Sequence, residues 1–106
     1  MAKYLVQVRY TADGAKGLLT DGGTGRRAAT EKAVASVGGK IESFYFAIGE
    51  IDAYVIVDVP DEVSLVALEL VVNATGRINS RSVRLITPED VDAATKKAVA
   101  YRAPGG

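Results

Sequence analysis

Five polar side chains stand at positions from which they could bind or transform a small molecule. They belong to three segments whose side chains alternate between two faces, which is the pattern of β-strands. One face then carries Gln7 and Arg9 from the first segment, Tyr45 from the second, and Asp52 and Tyr54 from the third. A carboxylate beside a guanidinium stays ionised, whereas a desolvated carboxylate can act as a base. We therefore expect a ligand-binding face made by all five residues, or a catalytic site in which Asp52 and Tyr54 act directly.

The same face also allows a purely structural interpretation. Charged and aromatic side chains often line subunit interfaces, where they satisfy one another's hydrogen bonds. In the chain order derived below, strand three lies beside strand one, so Arg9 and Asp52 are expected to pair. A binding face and a subunit interface both remain open at this point.

A second candidate is an anion site at Gly22-Gly23-Thr24-Gly25-Arg26-Arg27. Thr24 has the residue type of a helix N-cap, and Arg26 and Arg27 follow in the first turn. Free backbone N–H groups, the helix dipole and two guanidinium groups together suit a phosphate or carboxylate. The segment lacks the lysine and the spacing of a P-loop, so an ordinary capped helix with two solvated arginines is the alternative.

Composition excludes several classes of function. The 106 residues suit one domain, residues 1–106, and Lys+Arg and Asp+Glu both number 13, so no basic excess points to nucleic acid. There is no Cys and no His, which removes thiol catalysis and the commonest metal ligands. Carboxylate-only sites for magnesium or calcium remain open, but there is no EF-hand loop, and no metal or cofactor is expected. No apolar run reaches the length of a membrane span or resembles a signal peptide. We expect a soluble, cytoplasmic protein.

The polar face depends on a β-hairpin predicted between Phe44 and Pro60. If Gly49 and Glu50 form a two-residue turn, or if a symmetric four-residue loop replaces it, Tyr45 pairs with Tyr54. The opposite face is then aliphatic or aromatic and should lie under helices. Its members are Phe44, Phe46, Ile48, Ile51, Ala53, Val55, Val57 and Val59.

The remaining pattern predicts the other elements in chain order. They are strand one over 3–11, a long connection over 11–23 with at most one helical turn, a helix over 26–37 capped by Thr24, a helix over 62–75 capped by Asp61, an edge strand over 77–86, and a last helix from Pro88 to about Tyr101. The order β-α-β-β-α-β with an extra C-terminal helix is α+β, the ferredoxin-like split βαβ plan. Helices cover one sheet face and leave the other open.

The helix predicted over 62–75 is apolar around nearly its whole circumference, with Ser64, Glu69 and Asn73 as its polar members. Such a helix is buried on more than one side. A monomer of this size offers only one sheet to cover it, and a large exposed apolar patch is costly. The partner expected from this pattern is another copy of the chain.

The sequence resembles the GYD-domain family of small bacterial proteins along nearly its whole length. The stretches that carry the resemblance are KYLVQVRYT, GGTGRRAA, GGKIESFYFAIGEIDAYVIVDVPD and LITPEDVDAA; within the signature, Gly49 and Asp52 match and Ile51 replaces the tyrosine. The resemblance implies a dimeric α+β barrel, in which open sheet faces pair between subunits. No activity comes with it. We predict a homo-oligomer that binds a small organic molecule on the open face; a cofactor-independent oxygenase- or isomerase-like enzyme and a structural self-assembling protein are the alternatives.

Overall fold

The computed structural model describes all 106 residues and has the predicted element order. The four strands are β1 (Ala2–Tyr10), β2 (Lys40–Phe46), β3 (Ala53–Val59) and β4 (Ile78–Leu85), and the three helices are α1 (Ala12–Ser36), α2 (Glu62–Ala74) and α3 (Pro88–Thr95). The sheet order is β2-β3-β1-β4, and every neighbouring pair is antiparallel. This is the split βαβ arrangement, with β4 at an edge as expected, so the α+β, ferredoxin-like prediction is confirmed.

One face of the sheet packs against α1 and α2 and forms the core. The buried hydrophobic side chains come from β1, β3 and the two helices: Tyr4, Val34, Ala53, Val55, Val57, Val59 and Leu65. The unbroken aliphatic row of β3 is therefore buried, as its alternation predicts. A β-bulge between Ile41 and Ser43 lets both Ile41 and Phe44 reach this core from β2.

The hairpin has the predicted register but a different turn. Tyr45 pairs with Tyr54, and residues 47–52 form the connection, closed by the Ala47 N–H donating to the Asp52 carbonyl at 2.8 Å. The side chain of Ile48, expected in the core row, is fully exposed in this loop. The two-residue turn at Gly49 and Glu50 is not formed, because the strands separate two residues earlier on each side.

Helix α1 begins at Ala12, fourteen residues before the predicted start at Arg26. Thr11 is its N-cap and accepts a hydrogen bond from the Gly14 N–H at 3.2 Å, so the expected long connection is helical. Gly22 interrupts the helix with φ +72°, a left-handed value that glycine adopts without strain, and kinks it just before Thr24. Thr24 therefore lies in the first turn after this break, and its side chain caps no backbone N–H.

Helices α2 and α3 start at the predicted caps. The Asp61 carboxylate accepts from the Ser64 N–H at 2.8 Å, and Thr87 and Asp90 form a reciprocal capping box. Helix α3 ends at Thr95, six residues short of the prediction, and residues 86–106, which include α3 itself, are all exposed. No helix combines the length and the apolar composition that a membrane crossing requires.

Candidate functional site

The open face of the sheet carries a polar row that crosses all four strands. Tyr45 of β2 pairs with Tyr54 of β3, Tyr54 with Gln7 of β1, and Gln7 with Arg81 of β4. Adjacent strands are about 4.8 Å apart, so the four residues span about 14 Å in register. We call Tyr45, Tyr54, Gln7 and Arg81 the cross-sheet row.

Side chains on either side of the cross-sheet row differ in polarity. On one side lie Leu5, Ile56 and Val83, which are register partners on the same face and make an aliphatic row. On the other side, Arg9 and Asn79 are register partners and continue the polar surface. A ligand lying across the sheet would therefore meet hydrogen-bonding groups along one edge and aliphatic groups along the other.

Arg81 is the functional candidate that the sequence analysis missed. Its side chain is exposed and forms no ion pair, whereas Lys3 and Arg9 on the same face are both engaged. In the sequence alone, Arg81 is only one charged residue in an edge strand whose alternation is weak. Only the pairing of β4 with β1 aligns Arg81 with Gln7, and that register is set by residues about seventy positions apart in the chain.

The expected ion pair between Arg9 and Asp52 is not formed. The Arg9 guanidinium donates to the carboxylate of Glu50, in the loop before β3. The Asp52 carboxylate instead accepts the backbone N–H of Tyr10 at 2.8 Å, and the Asp52 N–H donates to the Val8 carbonyl at 2.9 Å. Asp52 therefore holds β1 and β3 together where the two strands meet, beside the cross-sheet row.

The opposite end of the open face holds an ion-pair cluster. Lys3 Nζ lies 2.8 Å from Glu42 Oε2 and 3.0 Å from each oxygen of Asp58, whose side chain is only 8% exposed. The hydrogen bonds and charges of Glu42 and Asp58 raise the pKa of Lys3 above its ordinary value. These three side chains satisfy one another, which leaves two unpaired cations on the face: Arg81 at the β4 side, and Lys40, the register partner of Asp58, at this end.

Thr24, Arg26 and Arg27 do not converge on one anion site. Thr24 is exposed within α1, and Arg27 points outward, 4.0 Å from Glu31. Arg26 faces the sheet instead and lies 3.4 Å from Asp21. Nowhere in the chain do three or more acidic side chains come together as a metal site would require.

A polar groove of about 720 Å³ lies at the β4 side of the open face and reaches Asn73 of α2 and Ser80 on the helix side. Gln7, Arg9 and Arg81 line it together with Glu50 and Asn79. In this groove, Gln7, Arg9 and Arg81 therefore lie beside Glu50, which belongs to the loop that follows β2. It can accept a polar organic molecule, with the unpaired guanidinium of Arg81 offered to an acidic group.

One of three comparisons with known proteins gives a match. The model of the GYD domain matches residues 4–95 of the 106-residue chain. No curated protein and no solved structure matches it. The matched range includes all of β1 except its first two residues, and the whole of every other strand and helix described above. The chain belongs to the GYD-domain family.

Proposed function

We propose that this protein is a homo-oligomer that binds a small organic acid on the open face of its sheet. The observation that carries the proposal is the cross-sheet row, in which Arg81, Gln7, Tyr54 and Tyr45 align across four strands. Arg81 supplies an unpaired guanidinium for a carboxylate or phosphate. Gln7 and the two phenols supply hydrogen bonds at further points along the same line.

The aliphatic row beside it favours a ligand with an apolar part. Leu5, Ile56 and Val83 present branched side chains in register, and Val83 is 48% exposed. A molecule with an acidic end and a ring or short chain would contact both rows at once. Its apolar part would be removed from water while its acid remains paired.

Three exposed surfaces support association with a second copy. On α2, Val63, Val66, Leu70 and Val71 are each more than half exposed, on the side turned away from the core. The second surface is the open sheet face itself, where Tyr45 is 73% exposed. The third is α3, an eight-residue helix that buries no residue. Isolated helices of that length are marginal in water, so α3 needs a partner to pack on.

Pairing of open faces between two copies would convert the groove into a chamber. Packed sheets lie about 10 Å apart, which leaves room for a flat small molecule between two cross-sheet rows. The apolar face of α2 would remain outside such a dimer and could join dimers into a larger assembly. Binding and assembly are thus parts of one proposal, although they can be tested separately.

The experiment is native mass spectrometry of protein taken directly from cells without added ligand. We expect an oligomer that carries a reproducible extra mass, and we expect Arg81→Gln to lose that mass while keeping the oligomer. Arg102→Gln, an exposed arginine in the C-terminal segment, is the matched control and should behave as wild type. A bare oligomer would overturn the binding part of the proposal, and a monomer would overturn the assembly part.

Turnover of the bound acid is a further outcome of the same experiment. If the retained mass changes on incubation, Asp52 as base or orienting group and Tyr54 as hydrogen-bond donor are the residues to test first. Asp52→Asn should then abolish turnover with the assembly intact. An unchanged retained molecule assigns the face to binding alone.

A further inference from the structure

We infer that a cavity on the helix side of the sheet is a second ligand site, for a small apolar carboxylate bound through Arg26. The cavity has a volume of about 120 Å³ and lies between the sheet, α1 and α2. All four strands contribute to its walls, which consist mainly of hydrophobic side chains. It lies on the sheet face opposite the cross-sheet row and is independent of the function proposed above.

The cavity exists because α1 carries small side chains where it faces the sheet. Ala29 and Ala33 are its small side chains at this point, one turn apart, and both line the cavity. Helices α1 and α2 each pack on the sheet but are not a closely packed pair. Val34 and Leu65, both buried, are at the cavity wall and belong to the core cluster. The gap between the helices is thus left unfilled by the chain's own side chains.

The cavity has a polar end formed by Arg26 and Tyr10. The Arg26 side chain is 27% exposed and lies 3.4 Å from Asp21, at the limit of a hydrogen bond, so it can turn towards a stronger partner. Burial raises the pKa of the Tyr10 hydroxyl, an effect that the neighbouring Arg26 guanidinium partly offsets. Tyr10 therefore stays protonated at neutral pH and can donate a hydrogen bond to an acid held by Arg26.

Glu69, the acidic residue of the cavity wall, determines which end accepts a carboxylate. Its own carboxylate accepts the hydroxyl of Ser82, while Ser80 is bonded to the side chain of Asn73. This polar group is already satisfied and carries a negative charge that repels a second one. The acid of a ligand is therefore directed to Arg26, and its apolar part to the valines and leucines of the wall.

The volume limits the ligand to about the size of a benzene ring. An apolar protein cavity of about 150 Å³ accommodates benzene, and this one is slightly smaller and is lined in part by Arg26. A monocyclic aromatic acid or a short-chain fatty acid fits, with its carboxylate at Arg26. Larger cofactors and nucleotides do not fit within these walls.

The test is a titration of the full-length protein with benzoate, followed through the methyl resonances of valine and leucine in ¹³C NMR spectra. We expect saturable shifts at Val8, Val55 and Val72, which line the cavity, and none at the exposed Val63 and Val71. Benzyl alcohol, which has a similar ring without the charge, should bind at least about tenfold more weakly, because charge-assisted hydrogen bonds are the stronger ones.

Two matched pairs of variants locate the site. Arg26→Gln should weaken benzoate binding about tenfold or more and leave benzyl alcohol unchanged, whereas Arg27→Gln, its outward-facing neighbour, should change neither. Ala33→Leu should fill the cavity and abolish the binding of both benzoate and benzyl alcohol. Ala35→Leu, on the exposed side of α1, should leave the binding of both molecules intact. If Ala33→Leu fails to fold, the comparison of Arg26→Gln with Arg27→Gln still decides.

Three results would overturn this inference. They are the absence of saturable shifts up to about 10 mM benzoate, equal binding by wild type and Arg26→Gln, and shifts confined to the open face. Because 10 mM corresponds to a binding free energy of only about −3 kcal/mol, the first result would mean no useful affinity. Arg81→Gln should leave benzoate binding in the cavity unchanged, so failure of the open-face proposal and failure of this one give different results.

Discussion

The carboxylate of Asp52 accepts the backbone N–H of Tyr10 at 2.8 Å, and so fastens the start of β3 to the end of β1. Tyr10 is the last residue of β1, and Thr11, the N-cap of α1, follows it directly. The hydrogen bond thus fixes the point at which the chain leaves the sheet and enters its longest helix. The aspartate that ends the family signature has, in this chain, a structural partner.

Asp52→Ala is therefore expected to destabilise the fold by about 1–3 kcal/mol, because a partly buried N–H of Tyr10 loses a charged acceptor. Asp52→Asn retains an oxygen acceptor and should cost less than about 1.5 kcal/mol. Urea unfolding measures both. Asp13→Ala, at an exposed aspartate of α1, is the control and should change stability little. Equal stability of Asp52→Ala and wild type would show that the hydrogen bond carries no net stability.

Two glycines in the first turns of α1 should respond oppositely to the same substitution. A Cβ on Gly14 would lie 1.9 Å from the carbonyl oxygen of Arg77, whereas a Cβ on Gly17 would meet nothing within 4 Å. Gly14→Ala must push α1 away from the loop before β4 and should cost about 3 kcal/mol or more. Gly17→Ala should stabilise by about 0.5–1 kcal/mol, since alanine loses less backbone entropy in a helix. Thermal unfolding of the pair measures both, and a destabilising Gly17→Ala would contradict the helical assignment of this segment.

The hydroxyl of Tyr4 is buried without a hydrogen-bond partner, and this makes Tyr4→Phe a stabilising substitution. The ring is 5% exposed and carries the Arg84 guanidinium 5.5 Å from its centroid, a contact that phenylalanine retains. Removing an unpaired buried hydroxyl should raise the free energy of unfolding by about 1 kcal/mol. Tyr45→Phe, at a largely exposed phenol, is the comparison and should be nearly neutral. A loss of stability in Tyr4→Phe would indicate a partner for the hydroxyl.

Much of the fold was predictable because it depends on local signals. Alternation over β1 and β3 gave the core face and the open face, and the pairing of Tyr45 with Tyr54 followed from the symmetry of the hairpin. The caps at Asp61 and Thr87 use side-chain chemistry that acts within three residues. These features need no knowledge of the rest of the chain.

The features that were missed depend on contacts between distant residues. The first half of α1 is rich in glycine, and its start is stabilised by Thr11, which bonds the carbonyls of Gly76 and Arg77. The place of Arg81 in the cross-sheet row depends on the β1–β4 register, and the cavity on the spacing of two helices. No pattern within ten or twenty consecutive residues indicates these contacts, so they could not be predicted from local sequence patterns.

Stability should fall as pH rises above about 10. Ion pairs with Glu42 and Asp58 raise the pKa of Lys3 above 10.5, and burial raises the pKa of Tyr10 above 10.0. Both groups hold their protons more tightly in the folded state than in the unfolded state. Their contribution to the free energy of unfolding is therefore complete below the unfolded-state pKa, and it is lost as pH rises through the pKa of each group in the folded protein. Urea midpoints between about pH 9 and pH 11.5 measure the loss. Tyr10→Phe should reduce the slope, whereas Tyr101→Phe, an exposed phenol, should not; equal slopes in all three proteins would contradict the burial effect.

Two neighbouring leucines of α2 separate assembly from folding. Leu70 is 67% exposed, whereas Leu68 packs against the core cluster and lines the cavity. Leu70→Glu should leave the free energy of unfolding of the isolated chain nearly unchanged and lower the mass of the assembly, because it places a charge in the apolar contact proposed for this face. Leu68→Glu should instead destabilise the fold by about 2–5 kcal/mol, since it removes core packing and places a carboxylate there. Native mass spectrometry and urea unfolding distinguish the two effects. An unchanged assembly mass in Leu70→Glu would exclude the outer face of α2 from the oligomer, and would leave the open sheet face as the contact to test.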